Sequence, residues 1–336
     1  MPVRLKDIAL ELGVSVVTVS KVLRNHSDIS METRNRVLER MRQLNYQPNL
    51  AARALVTGRS NMIGLVVPDL LHPFFAEVAK GLTKVLRKRG YCLVIASSEE
   101  DPLLEKQEIE HLLARRVDAL IVASTQNSSE HFALAGEQST PFVLIDRFFE
   151  DMYADFIGVD DESIGYMATH HLVEQGCKHI AHIRGPMFSA ANGREAGYRR
   201  AIQDAGLEEI VVAPASMGQT ADGRGHDAMN QLLARRPRPD GVFCFNDPNA
   251  LGALRAAQEA GLRVPEDVAI IGVGNLHYVS LLRTPLSSVD QDTATLGEEA
   301  ARLALKLIES KTKLKPKKVL LEPRLVARAS SLRLQQ

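Results

Sequence analysis

The chain has 336 residues, of which 45% are hydrophobic and 24% charged, and its 41 basic residues balance its 41 acidic residues. This composition is typical of a globular protein of about two to three domains, and it excludes disordered, collagen-like and disulfide-rich proteins. The three cysteines form no CxxC pair, so neither a zinc site nor a redox pair is predicted. No apolar run reaches the ~18 residues of a membrane span. Because the charged N-terminus is unlike a signal peptide, we expect a cytoplasmic protein.

The balanced total hides an asymmetry between two parts of the chain. Residues 1–60 contain ten basic and five acidic residues, so the remaining residues carry a net charge of −5. A basic head on an acidic body favours an interaction with nucleic acid. Chance clustering of charges on solvated helix faces is the alternative, and charge alone does not exclude it.

Three short helices are predicted at the start of the chain. The first covers Leu5–Leu12 and stops at Gly13, while Ser15 and Ser30 are predicted to cap the second and third helices. Only a tight turn separates the first two helices, and the third braces them. This pattern predicts a helix-turn-helix DNA-binding domain over residues 1–47.

In such a domain the second helix enters the major groove of DNA. Its first turn places Val16 and Val17 against base edges, where valine can contact thymine methyl groups, and Lys21 can donate to guanine one turn later. Hydroxyl groups for contacts with phosphates or bases come from Ser15, Thr18 and Ser20. The alternative is a small helical subdomain that buries its valines; the spacing and the charge asymmetry favour DNA.

Residues 48–60 are predicted to form a linker, beginning at Pro48. Within it, Asn49–Val56 is rich in good helix formers. This segment is shorter than the ~12–15 residues that an isolated helix needs in water. We therefore expect it to fold only when another surface holds it.

From Asn61 onward, apolar runs typical of buried strands alternate with helical patterns. Strands are predicted at Met62–Val67, Cys92–Ala96, Ala119–Ala123, Phe142–Ile145, Ile180–Ile183, Val242–Phe245 and Val268–Ile271. Helices are predicted at Phe75–Lys88, Leu103–Arg115, Ile164–Glu174, Arg194–Ala205, Ala250–Ala260 and Ala294–Glu309. This alternation implies parallel sheets covered on both faces. Because residues 61–336 are too many for one such sheet, two α/β lobes are predicted.

Several motifs, in this order and spacing, resemble those of one known family. They include Val3–Leu23, Ser30-Met31-Glu32-Thr33-Arg34, Asn45-Tyr46-Gln47-Pro48-Asn49, Ile63-Gly64-Leu65-Val66-Val67-Pro68, Phe245-Asn246-Asp247 and Leu286–Gln291. Over nearly its whole length the chain resembles bacterial regulators of the lactose repressor (LacI/GalR) family. The resemblance implies an all-α helix-turn-helix head and a periplasmic-binding-protein-like α/β core of two Rossmann-like lobes. Lobe 1 is expected at about 61–159 plus 291–320, and lobe 2 at about 160–290 plus 321–336.

The resemblance also implies how the head binds DNA. It adds to the DNA-binding candidates Ser30, Thr33, Arg34, Tyr46, Asn49, Ala52 and Leu55. Family members order residues 48–60 as a hinge helix only when two chains sit on operator DNA, and Leu55 matches the leucine that then enters the minor groove. An apolar wedge of this kind unstacks a base step and bends the duplex. A homodimer on a palindromic operator is therefore expected.

A ligand is expected between the two lobes, at the carboxyl ends of the strands. The candidates follow predicted strands or lie at lobe crossings: Phe74, Phe75, Ser124, Asp146, Arg147, Asp160, Arg194, Asn246, Asp247, Asn275 and Gln291. Carboxylate, amide and guanidinium groups suit a hydroxyl-rich ligand, so a sugar or sugar derivative is the predicted effector. A purine that acts as a corepressor is the alternative.

The family pattern is broken after the strand at Val268–Ile271. The family commonly places an aromatic residue and then an aspartate there, whereas this chain has Val273-Gly274-Asn275. The carboxylate that grips a sugar hydroxyl is missing, and Asn275 is expected to replace it in part.

No enzymatic activity and no cofactor are predicted. Gly272-Val273-Gly274 lacks the rest of a dinucleotide fingerprint, and the sequence has no GxxxxGK[ST] loop. No Ser/His/Asp order or HExxH spacing stands out, and the pair His170-His171 is predicted to lie on a solvated helix edge. The rival class is a solute-binding receptor, which would share the two lobes but lack the DNA-binding head.

Overall fold

A computed structural model describes residues 3–23, 26–46, 54, 58–126, 128–129, 140–213, 220–310, 312 and 314–333 of the chain. The chain divides into two units, residues 1–60 and residues 61–336. None of the helices in the described ranges is long and apolar enough to cross a membrane.

The first unit consists of three helices around a small core. Its described helices are α1 (Leu5–Leu12), α2 (Val16–Leu23) and α3 (Met31–Gln43). Helix α1 ends at Gly13, whose φ of 63° lies in the left-handed region that glycine adopts without strain. Helices of eight residues are unstable alone in water. They depend on a shared core that buries Ile8, Ala9, Val19, Val22, Val37 and Met41.

Two serines fix where the second and third helices begin. The backbone N–H of Thr18 donates to Ser15 Oγ over 3.0 Å, and that of Thr33 donates to Ser30 Oγ over 3.2 Å. Each bond satisfies one of the donors that a helix N-terminus leaves without a partner. Both predicted caps are confirmed.

The second unit contains two sheets, one in each lobe. The strands of lobe 1 are β1 (Met62–Val67), β2 (Cys92–Ser97), β3 (Ala119–Val122), β4 (Phe142–Ile145), β5 (Phe156–Val159) and β11 (Lys318–Leu321). The strands of lobe 2 are β6 (Ile180–Ile183), β7 (Ile210–Val212), β8 (Gly241–Cys244), β9 (Ala269–Val273), β10 (Ser287–Asp290) and β12 (Arg324–Val326). Their orders are β11-β5-β4-β3-β1-β2 and β12-β10-β9-β8-β6-β7.

Neighbouring strands run parallel throughout the described sheet of lobe 1, and in lobe 2 only the β10–β12 pair is antiparallel. A parallel sheet is covered on both faces, which explains its continuous apolar runs. In β3, Leu120 packs into one hydrophobic cluster and Ile121 into another on the opposite face.

Helices cover both faces of each sheet. They are α4 (Pro73–Leu86), α5 (Pro102–Ala114), α6 (Asp161–Glu174), α7 (Ser189–Asp204), α8 (Ala221–Leu233), α9 (Asp247–Glu259) and α10 (Thr293–Glu309). The closest pairs are α4 with α10, α6 with α7 and α8 with α9. In the first pair, Gly81 faces Gly297, and a Cβ on Gly81 would overlap the carbonyl oxygen of Ala294.

Several helices begin earlier than the sequence predicts. Helix α6 begins at Asp161 rather than Ile164, and α9 begins at Asp247 rather than Ala250. Their first turns are polar, and the side chains of Asp160 and Asn246 cap them by accepting backbone N–H bonds. The short or polar elements β5, β7, α8, β10, β11 and β12 were not predicted, because they lack a long apolar pattern.

The chain passes between the lobes at three places. It leaves lobe 1 between β5 and α6, returns between β10 and α10, and leaves again between β11 and β12. Asp160 lies at the first crossing and Gln291 at the second. The carboxyl ends of the parallel strands therefore border a cleft between the lobes.

Candidate DNA-binding and effector-binding sites

The cleft between the lobes brings together seven of the predicted effector residues. They are Phe74, Phe75, Asp146, Arg147, Arg194, Asn246 and Gln291. The lining residues bound about 660 Å³ of space that no atom occupies, including open solvent at the mouth. The site therefore presents guanidinium, carboxylate and amide groups beside aromatic rings.

Arg147 is held on the lobe 1 side but contacts both lobes. Its Nη1 donates to the carbonyl oxygen of Ser124 over 3.0 Å, and its Nε lies 3.5 Å from Asp146 Oδ2. The guanidinium also stacks over the ring of Phe188 in lobe 2, 3.8 Å from the ring centroid. Cation–π contact of this kind is stronger when the groups are desolvated. Arg147 thus links the lobes at the edge of the cleft.

Arg194 is its counterpart in lobe 2. It is 3% exposed, donates from Nε to Asp161 Oδ1 over 2.9 Å, and donates from Nη1 to the carbonyl oxygen of Phe245 over 2.8 Å. Burial raises the pKa of the Asp161 carboxyl to about 7, although Arg194 favours the charged form. The guanidinium is therefore fixed in orientation by two acceptors.

His72 and Asn246 meet across the cleft. His72 caps the N-terminus of α4 in lobe 1, and Asn246 caps α9 in lobe 2. Asn246 Nδ2 lies 3.1 Å from His72 Nε2. Burial lowers the pKa of His72 to about 4. A second polar contact joins the lobes where the backbone N–H of Phe148 donates to Ser189 Oγ over 3.0 Å.

Four predicted effector residues are not among those that line the cleft. The hydroxyl of Ser124 donates to buried Glu105, and Asp160 caps α6. Asp247 is buried and accepts bonds from Ser288 Oγ and the backbone N–H of Leu276. Asn275 contacts other groups, namely Ser288, Asp290 and Arg328.

Other cleft residues escaped the sequence analysis: Asp69, His72, Glu100, Pro186, Arg224, Phe245, Asn249 and Leu276. Asp69 and Glu100 follow the ends of predicted strands closely, which was the signal available for them. Arg224 lies on α8, a helix that was not predicted, and its Nη1 is 3.7 Å from Glu100 Oε2 in the other lobe. Only the fold brings this pair together.

In the head, the predicted DNA-reading face of α2 lies opposite its core face. Val16 and Val17 are 44% and 61% exposed, whereas Val19 and Val22 are buried. Exposed valines are unfavourable in water unless a partner covers them. The alternative of a subdomain that buries all its valines does not hold for Val16 and Val17.

The other DNA-binding candidates lie around this face or fall outside the described residues. Lys21 forms an ion pair with Asp28, and Arg34 donates to the carbonyl oxygen of His26. Ser20 and Tyr46 are half-buried and exposed positions at the edge of the same small unit. Asn49, Ala52 and Leu55 lie outside the described residues.

Comparisons with known proteins agree with this architecture. The family model for bacterial regulatory proteins of the lacI family matches residues 4–49, and that for a periplasmic binding protein-like domain matches residues 169–331. The ribose operon repressor of Halalkalibacterium halodurans is 33% identical over 91% of each chain. The transcriptional repressor PurR of Mannheimia succiniciproducens is 34% identical over 97% of this chain and 98% of its own.

A solved structure extends the likeness to three dimensions. The lac repressor dimer bound to operator and the anti-inducer ONPF has a TM-score of 0.88 and 27% identity, covering 99% of this chain and 100% of that chain. A helix-turn-helix head followed by a two-lobe core with a cleft defines a ligand-responsive regulator of transcription.

The chain belongs to the lacI family of bacterial regulatory proteins, and it is a transcriptional repressor of that family. The predicted fold class, and the prediction that the chain is not an enzyme, are confirmed by this membership.

Proposed function

We propose that this repressor binds a palindromic operator as a homodimer and is controlled by a sugar or sugar derivative in the cleft. The observation that carries the effector class is the cleft lining. Arg147, Arg194, Asp146 and Asn246 surround it with oriented donors and acceptors beside Phe74 and Phe75. Hydroxyl groups need such partners when they are buried, and aromatic rings suit the apolar face of a sugar.

The DNA-binding part of the proposal assigns roles to the head, residues 1–47, and the hinge segment, residues 48–60. Val16, Val17 and Lys21 read bases in the major groove. Phosphate and positioning contacts come from Ser15, Thr18, Ser20, Ser30, Thr33, Arg34, Tyr46 and Asn49. Ala52 and Leu55 lie in the minor groove at the centre of the site, where Leu55 acts as the wedge. The protein works in the cytoplasm, where its operator is.

The core, residues 61–336, transmits the signal. Effector binding changes the angle between the lobes and so the spacing of the two hinge segments in the dimer. It acts only through its different affinities for the two states of the core. A sugar is expected to release the operator, whereas a purine is expected to tighten binding.

Selection of binding sites from random duplex DNA by the purified protein tests this proposal. We expect a symmetric motif whose binding is weakened by a member of a panel of sugars. A symmetric motif tightened by a purine would replace the sugar with the alternative effector. No enrichment at low salt, with or without ligands, would contradict the proposed operator binding.

A further inference from the structure

The position of His72 determines which of its ring nitrogens carries a proton. Asn246 Oδ1 accepts the backbone N–H of Asn249 over 2.9 Å, because Asn246 caps α9. Its Nδ2 group, which can only donate, therefore points toward His72 Nε2 at 3.1 Å. A donor at this position requires an unprotonated Nε2. The imidazole is neutral and its proton lies on Nδ1.

The Nδ1–H group that results has no acceptor. His72 Nδ1 is buried, and none of the described residues forms a hydrogen bond with it. The ring is held by edge contacts with Phe74 and Phe75, whose centroids lie 6.3 Å and 5.6 Å away. Buried donors are almost always satisfied in folded proteins. A donor left without a partner on a residue that lines a cleft is suited to an acceptor atom of a ligand.

We propose that His72 is a specificity-determining residue that donates a hydrogen bond from Nδ1 to an acceptor atom of the effector. Asn246 is the positioning residue, because it fixes the tautomer of His72 from the opposite lobe. The effector is thus required to present a hydroxyl, carbonyl or ring-nitrogen acceptor at this point. The inference rests on the proposed effector site in the cleft.

The two lobes share this device. Lobe 1 supplies the imidazole and lobe 2 supplies the amide that orients its proton. The donor is consequently set for the effector only while the lobes are together. His72 reads the ligand and the closed arrangement of the lobes at once.

The tautomer is measured directly by long-range ¹H–¹⁵N NMR of the full-length protein labelled in histidine. The His72 signals are assigned by their loss in His72→Asn. At pH 7 we expect a protonated Nδ1 and an unprotonated Nε2 in the wild type. An Asn246→Asp variant keeps the helix cap but offers only acceptors, so it should move the proton to Nε2. An imidazolium, or a proton on Nε2 in the wild type, would overturn the inference.

Calorimetric titration with D-ribose and, separately, with hypoxanthine tests the contact. His72→Phe keeps an aromatic ring without polar atoms and should weaken the probe that binds by about tenfold. His72→Asn restores one acceptor and one donor and should stay within about threefold of the wild type. The control is exposed His170→Phe, which should change nothing. Equal losses in His72→Phe and His72→Asn would contradict the donor role.

Failure of the proposed effector class gives a different result. If neither probe binds the wild type, sugars and purines of these kinds are not the effector. The NMR spectrum then decides the tautomer, and with it the inference, without any ligand.

Discussion

At the scale of single residues, pairing decides which charges can act on a partner. Lys21 and Asp28 form an exposed ion pair, with 36% and 51% of their side chains accessible. Such surface pairs contribute little, about 0–1 kcal/mol. Lys21 can therefore leave Asp28 for a base edge or a phosphate at small cost.

Replacement of Lys21 tests its role in reading DNA. Lys21→Ala should relax the base preference at one position in each half-site, because the hydrogen bond to that base is lost. The measurement is the motif selected from random duplex DNA. Asp28→Ala is the matched control and should keep the motif while strengthening binding to all sequences. An unchanged motif for Lys21→Ala would contradict base reading by this residue.

Arg194 differs because its partner is buried with it. Asp161 is held against Arg194 inside lobe 2, and removal of the cation leaves a carboxyl without compensation. Breaking a buried pair from one side commonly costs about 3–5 kcal/mol. A loss of effector response on its own would therefore not separate a binding role from a structural one.

A double substitution separates these roles. Arg194→Gln should lower both the free energy of unfolding and the response to effector. Arg194→Gln combined with Asp161→Asn removes the unpaired carboxyl, so it should recover stability without recovering the response. Urea unfolding and operator release measure the two quantities. Recovery of the response in the double variant would show that Arg194 only supports the fold.

At the scale of elements, the helix pairs depend on close backbone approach. Gly81 on α4 lies against α10, where a Cβ would overlap Ala294 O and come within 3.2 Å of Gly297 Cα. Backbone atoms cannot move aside as a flexible side chain can. The packing of these helices thus opposes their intrinsic helix propensity, which favours alanine over glycine.

Two reciprocal substitutions in α4 test this conflict. Gly81→Ala should destabilise the protein by more than about 1 kcal/mol, although alanine is the better helix former. Ala76→Gly, at an exposed position of the same helix, should cost only the propensity difference of about 1 kcal/mol. Thermal or urea unfolding compares the two. A stabilised Gly81→Ala would rule out close packing at this point.

At the scale of the whole molecule, buried histidines and carboxyls give opposite dependences of stability on pH. His182 is fully buried, donates from Nδ1 to the carbonyl oxygen of Phe243 in the tautomer that this contact favours, and stacks on Phe243. Burial lowers its pKa to about 3, whereas burial raises the pKa of Asp247 to about 6. The histidine contribution is present above its unfolded pKa of 6.5 and is lost as the pH falls toward 3.

The carboxyl contribution has the opposite sign. Because the pKa of Asp247 is higher in the folded protein, its contribution is present below the unfolded value of 3.8 and is lost as the pH rises through about 6. His182→Phe should therefore favour pH 5 over pH 7.5 more than the wild type does, and Asp247→Asn should favour pH 7.5. Urea unfolding at both pH values measures this, with exposed His170→Phe as the control. Equal shifts in all three variants would contradict it.

Much of the fold was predictable from the sequence because its signals are local. Apolar runs predicted β1, β2, β3, β4, β6, β8 and β9, since strands buried on both faces cannot carry polar residues. Strand β10 escaped, because its Ser287 and Ser288 are polar and become buried only through bonds to Ser330 and Asp247. His171 was wrongly expected on a solvated edge, because its partner Ser331 lies 160 residues away.

The sequence by itself determined the helix-turn-helix head, the α/β alternation and the residue types that a polar ligand needs. These follow from capping residues, apolar periodicity and motif order, which act over a few residues. The tertiary structure alone decided which polar groups meet. It separated Asn275 from the cleft, paired Arg224 with Glu100, and placed Asn246 against His72. Such contacts join distant segments in two lobes, and their geometry exists only once both sheets have formed.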